Sequence, residues 1–303
     1  MLAHRLATGS SLIALFLVIL FVDETWLAPW FPLWVIAVVL VMGEAARELV
    51  GLLERTSARP SGGIVVGGVL ALVAANVVPH VIEHASREAS AAALDYDAAA
   101  PLHVLAWPLL AFAGVLMTAF LIQGAQFTRP GGTMATLSGS ILAIAYVGLL
   151  GSFVVQTRWL PGPHHGVVPL LMLVATAKGA DVGAYTLGRL AGRHKLWPRL
   201  SPNKTREGAA GGLALAVVAA LTVAFVGRRL GHPSLDWPAA AGFGVVVGLF
   251  AQLGDLMESM IKRDCERKDA SDTLPGFGGV LDVIDSLLFA GPVAYAYWLL
   301  FGP

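Results

Sequence analysis

Apolar runs, each closed by a short polar or Gly/Pro-rich stretch, recur along the whole chain. Each approaches the roughly 20 residues that a helix needs to cross a bilayer core of about 30 Å. The runs are Leu6 to Val22, Leu33 to Leu53, Gly62 to Ile82, Pro101 to Gln123, Thr133 to Gln156, Val167 to Leu190, Gly208 to Gly227, Pro238 to Lys262 and Val280 to Leu300. They predict an all-α polytopic membrane protein with about nine transmembrane helices. The first run ends at Asp23-Glu24 with no small-x-small cleavage site after it, so it reads as a retained helix and not as a signal peptide. Trp26 to Pro32 is a Trp/Pro-rich turn suited to a membrane interface, and Glu44, Arg47 and Glu48 mark the polar end of the second run. Glu83 to Ala100, acidic and alanine-rich, links the third run to the fourth.

Composition sharpens this picture. With 56% hydrophobic and 13% charged residues among 303, the chain is too apolar for an ordinary soluble domain. Twenty basic residues balance twenty acidic ones, so no nucleic-acid partner is indicated. Their distribution carries more information. If the helices alternate from a cytoplasmic amino terminus, fifteen of the basic residues fall on the cytoplasmic side. Only Arg87, Arg158, Arg228 and Arg229 fall outside, with Lys178 inside the sixth run. The chain reads as one integral membrane domain, residues 1–303, with N-terminal helices over 1–130 and the chemistry-bearing helices over 131–303. No internal repeat of the kind many transporters show is present. The single cysteine, Cys265, excludes an internal disulfide and reads as a bystander in a cytoplasmic loop.

The polar residues gather between Gly254 and Ser286. On a helix Asp255, Glu258, Ser259 and Lys262 fall at i, i+3, i+4 and i+7 and share a face, and Asp282 and Asp285 do the same on the next helix. Asp255 and Asp282 then meet one loop from the same side and can reach one divalent ion, with Asp285 one turn deeper. Magnesium suits such a site, because it takes oxygen ligands and is usually shared between carboxylates and substrate phosphates. Between the two helices the glycine-rich turn Pro275 to Gly279 opens a helix, a place where anions bind. Upstream, Lys178 and Asp181 lie at i, i+3 within an apolar run, where a charge is costly. The following loop, Gly192 to Gly208, holds Arg193, Lys195, Arg199, Lys204 and Arg206 beside Ser201, Asn203 and Thr205. Blander readings stay open at each point: a solvated charged loop between helices, a structural Lys178–Asp181 ion pair, and basic residues set only by membrane orientation. Tyr185, one turn beyond Asp181, supplies either a hydroxyl or packing. No zinc-spaced His/Cys cluster, Walker-type loop, zincin motif or Gly-x-Ser-x-Gly elbow occurs, and His164-His165 reads as polar outer loop. Gly211-Gly212 and Gly67-Gly68 read as close helix packing.

The run Ser259-x-x-Lys262-Arg263, Lys268-Asp269, Pro275-Gly276, Gly278-Gly279, Asp282 and Asp285 resembles the signature of the phosphatidate cytidylyltransferases, or CDP-diacylglycerol synthases. A second block is similar to the same family: Asp181-Val182-Gly183-Ala184-Tyr185, Gly188-Arg189, Lys195-Leu196 and Ser201-Pro202-Asn203-Lys204-Thr205-Arg206-Glu207-Gly208. The two blocks cover the last two-fifths of the chain. Phe277 stands where the signature usually has His, Val283 where it usually has Arg, and Arg206 where an aromatic residue is common.

The resemblance implies transfer of a cytidylyl group from CTP to phosphatidic acid, with a polar cavity near the cytoplasmic face of the inner membrane. It implies catalytic roles for Asp255, Lys262, Asp282 and Asp285, with Asp255, Asp282 and Asp285 as metal ligands. Asp181, Ser201, Lys204, Thr205, Ser259, Arg263, Lys268 and Asp269 would bind nucleotide or cofactor. Magnesium is the implied cofactor, with a second cation as an open option, and a homodimer is the implied assembly. The alternatives are another CTP-dependent lipid enzyme, such as a polyprenol or dolichol kinase, an ion-coupled transporter, and an inactive paralogue.

Overall fold

The computed structural model describes residues 2–89, 100–160 and 166–303, and their side chains over 8–82, 103–160 and 166–303. Residues 161–165, with His164-His165, and the whole acidic link Glu83 to Ala100, with Arg87, lie outside the described side chains. The elements are α1 (Leu2–Trp26), α2 (Pro32–Leu53), α3 (Gly62–Ala89), α4 (Ala100–Ala125), α5 (Thr133–Ala143), a π-helical turn (Ile144–Leu149), α6 (Leu150–Gln156), α7 (Val167–Ala191), β1 (Lys195–Trp197), β2 (Ser201–Thr205), α8 (Arg206–Arg229), α9 (Trp237–Asp264) and α10 (Val280–Phe301). Among the described residues eight helices are long and apolar enough to span a membrane. The ninth long helix, α2, carries Glu44, Arg47 and Glu48 in its second half. The protein is an all-α polytopic membrane protein, as the apolar periodicity predicts.

The chain divides into two compact units. The first comprises Met1–Gln156 with Asp269–Leu281. Its outward apolar side chains, among them Ile13, Phe21, Leu110 and Leu121, are exposed as a lipid-facing surface requires. Helix α1 runs through Asp23-Glu24, where the sequence reading ended it. The reason is local: Asp23 is fully buried and accepts the backbone N–H groups of Leu33 (3.1 Å) and Trp34 (2.7 Å), so its charge caps α2 and does not face lipid. Polar groups deeper in this unit also pair among themselves. Asn76 Nδ2 donates to Ser152 Oγ (2.9 Å) and Gln156 Nε2 to Asn76 O (2.8 Å).

The second unit comprises Thr157–Lys268 and Asp282–Pro303. It packs α7, α8 and α9 closely because small residues line their seams. A Cβ on Gly183 of α7 would strike the Gly211 carbonyl and Leu215 of α8, and one on Gly212 would lie 2.8 Å from the Ala180 carbonyl. Arg158, read from sequence as an outer-loop cation, is fully buried in this unit. The basic segment after α7 is not an irregular loop. Its strands β1 and β2 pair antiparallel, with Lys195 opposite Thr205 and Trp197 opposite Ser201. Glu207 fixes the hairpin from below, accepting from the backbone N–H groups of Arg193 (3.1 Å) and His194 (3.2 Å) and contacting His194 Nδ1 at 2.5 Å.

Candidate functional site

Four elements of the second unit bring its charged side chains together: α7, β2, α9 and α10. On α9 the three-residue spacing of Asp255 and Glu258 sets both on one face, and Asp285 joins them from α10. These three carboxylates each offer an oxygen, all within 4.8 Å of one another. Asp285 and Glu258 are buried, Glu258 completely. Gly254 permits the approach of the two helices, since a Cβ there would lie 2.7 Å from the Asp285 carbonyl.

Cations surround this cluster. Lys204 Nζ lies 2.6 Å from Asp255 Oδ2. Lys262, also buried, pairs with Glu258 and with Asp282, the latter at 2.6 Å. Lys178 Nζ contacts Asp181 Oδ2 (3.0 Å), the Val283 carbonyl (2.7 Å) and Ser286 Oγ (2.9 Å), and Ser286 Oγ also donates to Asp181 at 3.3 Å. The Lys178–Asp181 ion pair, one of the two readings the spacing left open, is present, and it is anchored to the first turns of α10.

Of the residues singled out from sequence, Asp255 and Asp285 sit in the carboxylate cluster. Asp282 is held by Lys262. Thr205 Oγ1 accepts the Gly208 N–H at 3.0 Å as the N-cap of α8. Ser201 begins β2, and Ser259 is buried on α9. Arg263, Lys268 and Asp269 are exposed at and beyond the end of α9, with Arg263 donating to the Arg267 carbonyl at 3.2 Å. Tyr185 is 61% exposed and its hydroxyl accepts from Arg189 at 3.0 Å. Glu258 is the residue that sequence reasoning put on the right face but gave no role; its signal was the i, i+3 spacing from Asp255.

The donor set fits a hard divalent cation. Glu258 Oε1 is buried with no hydrogen bond among the described residues, beside two further carboxylates. An unpaired buried oxygen among like charges is costly, and an oxygen-seeking cation such as magnesium would satisfy it.

The second unit is thus part of a polytopic membrane helix bundle that carries three clustered carboxylates with lysines beside them. A family model described as the cytidylyltransferase family matches residues 3–301, and the chain belongs to that family. It is similar to the phosphatidate cytidylyltransferase of Bacillus subtilis (strain 168), 38% identical over 160 residues, which is 53% of this chain and 57% of that protein. It is also similar to the phosphatidate cytidylyltransferase of Staphylococcus aureus (strain COL), 40% identical over 154 residues, or 50% and 55% of the two chains. The matched stretch thus spans little more than half the length of these relatives.

Proposed function

We propose that this protein transfers the cytidylyl group of CTP to phosphatidic acid, forming CDP-diacylglycerol and pyrophosphate. The observation that carries this reading is the convergence of Asp255, Glu258 and Asp285 between lysines on membrane-spanning helices of a chain in the cytidylyltransferase family. An oxygen of the lipid phosphate attacks the α-phosphorus of CTP. The new bond is P–O–P, the bond broken joins the α-phosphorus to the bridging oxygen, and pyrophosphate carries that electron pair away. The attacking phosphate monoester is already ionised near neutral pH, its second pKa being about 6 by analogy with phosphoamino acids, so no general base is required.

Charge control is what the reaction demands of the protein. Asp255, Glu258 and Asp285 would hold magnesium, which supplies Lewis-acid neutralisation of the triphosphate. Lys204, half-buried on the β1–β2 hairpin and paired with Asp255, would exchange that pairing for a nucleotide phosphate, with Ser201 on the same strand. Arg263 and Lys268, both exposed, suit the leaving pyrophosphate or the lipid phosphate. Lys262 acts by holding Glu258 and Asp282 in place. The loops that carry these cations are those the charge asymmetry assigns to the cytoplasm, where CTP is found, while the lipid arrives from the bilayer.

The test incubates purified protein with phosphatidate, CTP labelled in the cytidine, and magnesium. Label in the lipid fraction supports the reading. No labelled lipid with phosphatidate, together with transfer of label from CTP labelled in the γ-phosphate to a lipid alcohol, would assign the site to another CTP-dependent lipid enzyme.

A further inference from the structure

The turn Pro275 to Gly279 looks in sequence like an anion cradle at the start of α10, but in the first unit the protein fills that cradle with its own carboxylate. Glu48 of α2, 6% exposed, accepts the backbone N–H groups of Val280 (3.0 Å) and Leu281 (2.7 Å) and the hydroxyl of Ser271 (2.6 Å). Its two oxygens are both used: Oε1 takes Val280 and Ser271, and Oε2 takes Leu281. The residue before α10 is glycine and brings no side chain to cap the helix, so the cap comes from 232 residues upstream. A carboxylate at a helix N-terminus also gains from the helix dipole. The glycines meet this requirement. Gly276 and Gly278 have φ of 86° and 94°, closing a tight turn in which Leu274 N–H donates to the Gly278 carbonyl at 2.7 Å. At Gly279 a Cβ would lie 2.5 Å from the Glu48 carboxylate.

We infer that Glu48 is a positioning residue for the carboxylates of α10. It fixes the first turn of the helix, and the chain passes directly from Leu281 into Asp282 and then, one turn on, into Asp285. A cation ligand gains affinity when its geometry is set before the ion arrives, and partners that orient ligands typically matter by 10- to 100-fold in metal affinity. The inference rests on the reading of Asp285 and its neighbours as a cation site.

The experiment compares wild type with Glu48→Gln and Gly279→Ala in detergent. Glu48→Gln keeps the size and the Oε1 acceptor for Val280 and Ser271. It turns an amide NH₂ toward the Leu281 N–H. Gly279→Ala drives a methyl into the carboxylate from the other side. Two quantities are read on protein without substrate: hydrogen exchange of the peptide covering residues 271–287, and Mn²⁺ affinity by electron paramagnetic resonance. Both variants should lose protection in the first turn of α10 and bind Mn²⁺ about ten-fold or more weakly, with an unfolding midpoint close to wild type. Gly279→Ala should cost little further in a Glu48→Ala background, where the methyl has room. Lost protection with unchanged Mn²⁺ affinity would make Glu48 a structural cap only, and unchanged protection would remove it as the cap. A wild type that binds no Mn²⁺ would overturn this inference together with the cation site. A wild type that binds Mn²⁺ but makes no labelled lipid would overturn only the proposed reaction.

Discussion

Lys204 on β2 sets its ammonium 2.6 Å from Oδ2 of Asp255 on α9, tying the basic hairpin to the carboxylate cluster. Both side chains are about one-third exposed or less, 26% and 35%, so the pair is open to exchange with a ligand. The two residues should separate in kinetics. Lys204→Met removes a donor to a nucleotide phosphate; a charge-assisted hydrogen bond is worth about 1.5 to 3 kcal/mol, so KM for CTP should rise about 10- to 100-fold. Magnesium half-saturation should stay the same or fall, because a competing cation has left Asp255. Asp255→Asn should instead lower turnover by at least about a hundredfold, in line with the loss of an electrostatic stabiliser. An unchanged KM for CTP in Lys204→Met would take that lysine out of nucleotide binding.

Phe277→His should be nearly silent. Phe277 is 40% exposed at the tip of the turn, its N–H donates to the Leu274 carbonyl at 3.0 Å, and it has no positive φ. Turnover should change no more than a few-fold, and stability by about 0.5 kcal/mol or less, as for ordinary surface substitutions. A hundredfold gain in turnover would show that histidine belongs to the chemistry and that this chain lacks it.

Most helices were legible because apolar periodicity is a local signal, and the boundaries differ mainly where a charge finds a partner. Asp23 is the clear case: as a sequence position it ends a helix, but its carboxylate accepts the first-turn N–H groups of α2 from inside α1. The hairpin was not legible. Its strands are three and five residues long, the second contains a proline, and no Asn-Gly or Asp-Gly turn lies between them. Glu258 was visible as a face position but drew no role, since motif resemblance begins at Ser259. Glu48 shows in sequence only as part of the polar end of the second run, and its role as a cap does not, because its backbone partners lie 232 and 233 residues away and neither spacing nor motif connects them.

Cys265 should react slowly in the folded protein. It ends α9 with only 3% of its surface exposed, and burial, followed by the neighbouring Asp264, pushes its thiol up from the ordinary range. The folded state therefore holds the proton to higher pH than the unfolded state. This contribution to stability is constant below the unfolded thiol pKa and declines as pH rises through it toward the folded value. Iodoacetamide labelling near pH 7.5 should be much slower than after unfolding in detergent. As pH rises through the ordinary thiol range, the unfolding midpoint should fall in wild type, with a shallower fall in Cys265→Ala. Rapid native labelling at pH 7.5 would contradict the burial. Sidedness is better tested with a cysteine introduced at exposed Lys268.

Asp282 and Asp285 are one turn apart on α10, yet they should fail in different ways. Asp285 joins Asp255 and Glu258 within 4.8 Å, whereas Asp282 is bound to Lys262, which also pairs with Glu258. Asp285→Asn and Glu258→Gln each remove a charge from the cation site itself. Each should weaken Mn²⁺ binding and reduce turnover by at least about a hundredfold, even at saturating metal, by the magnitude seen when one stabilising donor is lost. Asp282→Asn leaves those ligands in place but releases one side of a buried lysine. Breaking a buried pair costs about 3 to 5 kcal/mol, so its main effect should be a lowered unfolding midpoint with Mn²⁺ affinity reduced far less. Replacing both partners, as Asp282→Asn with Lys262→Met, should recover part of that stability while leaving Glu258 unpaired and turnover low. The sequence alone makes Asp282 a ligand and so predicts the reverse order of metal affinities. Measuring Mn²⁺ affinity, labelled-lipid turnover and unfolding midpoint on the same four variants decides between the two. If Asp282→Asn loses Mn²⁺ as completely as Asp285→Asn does, Asp282 is a ligand and its bond to Lys262 is secondary.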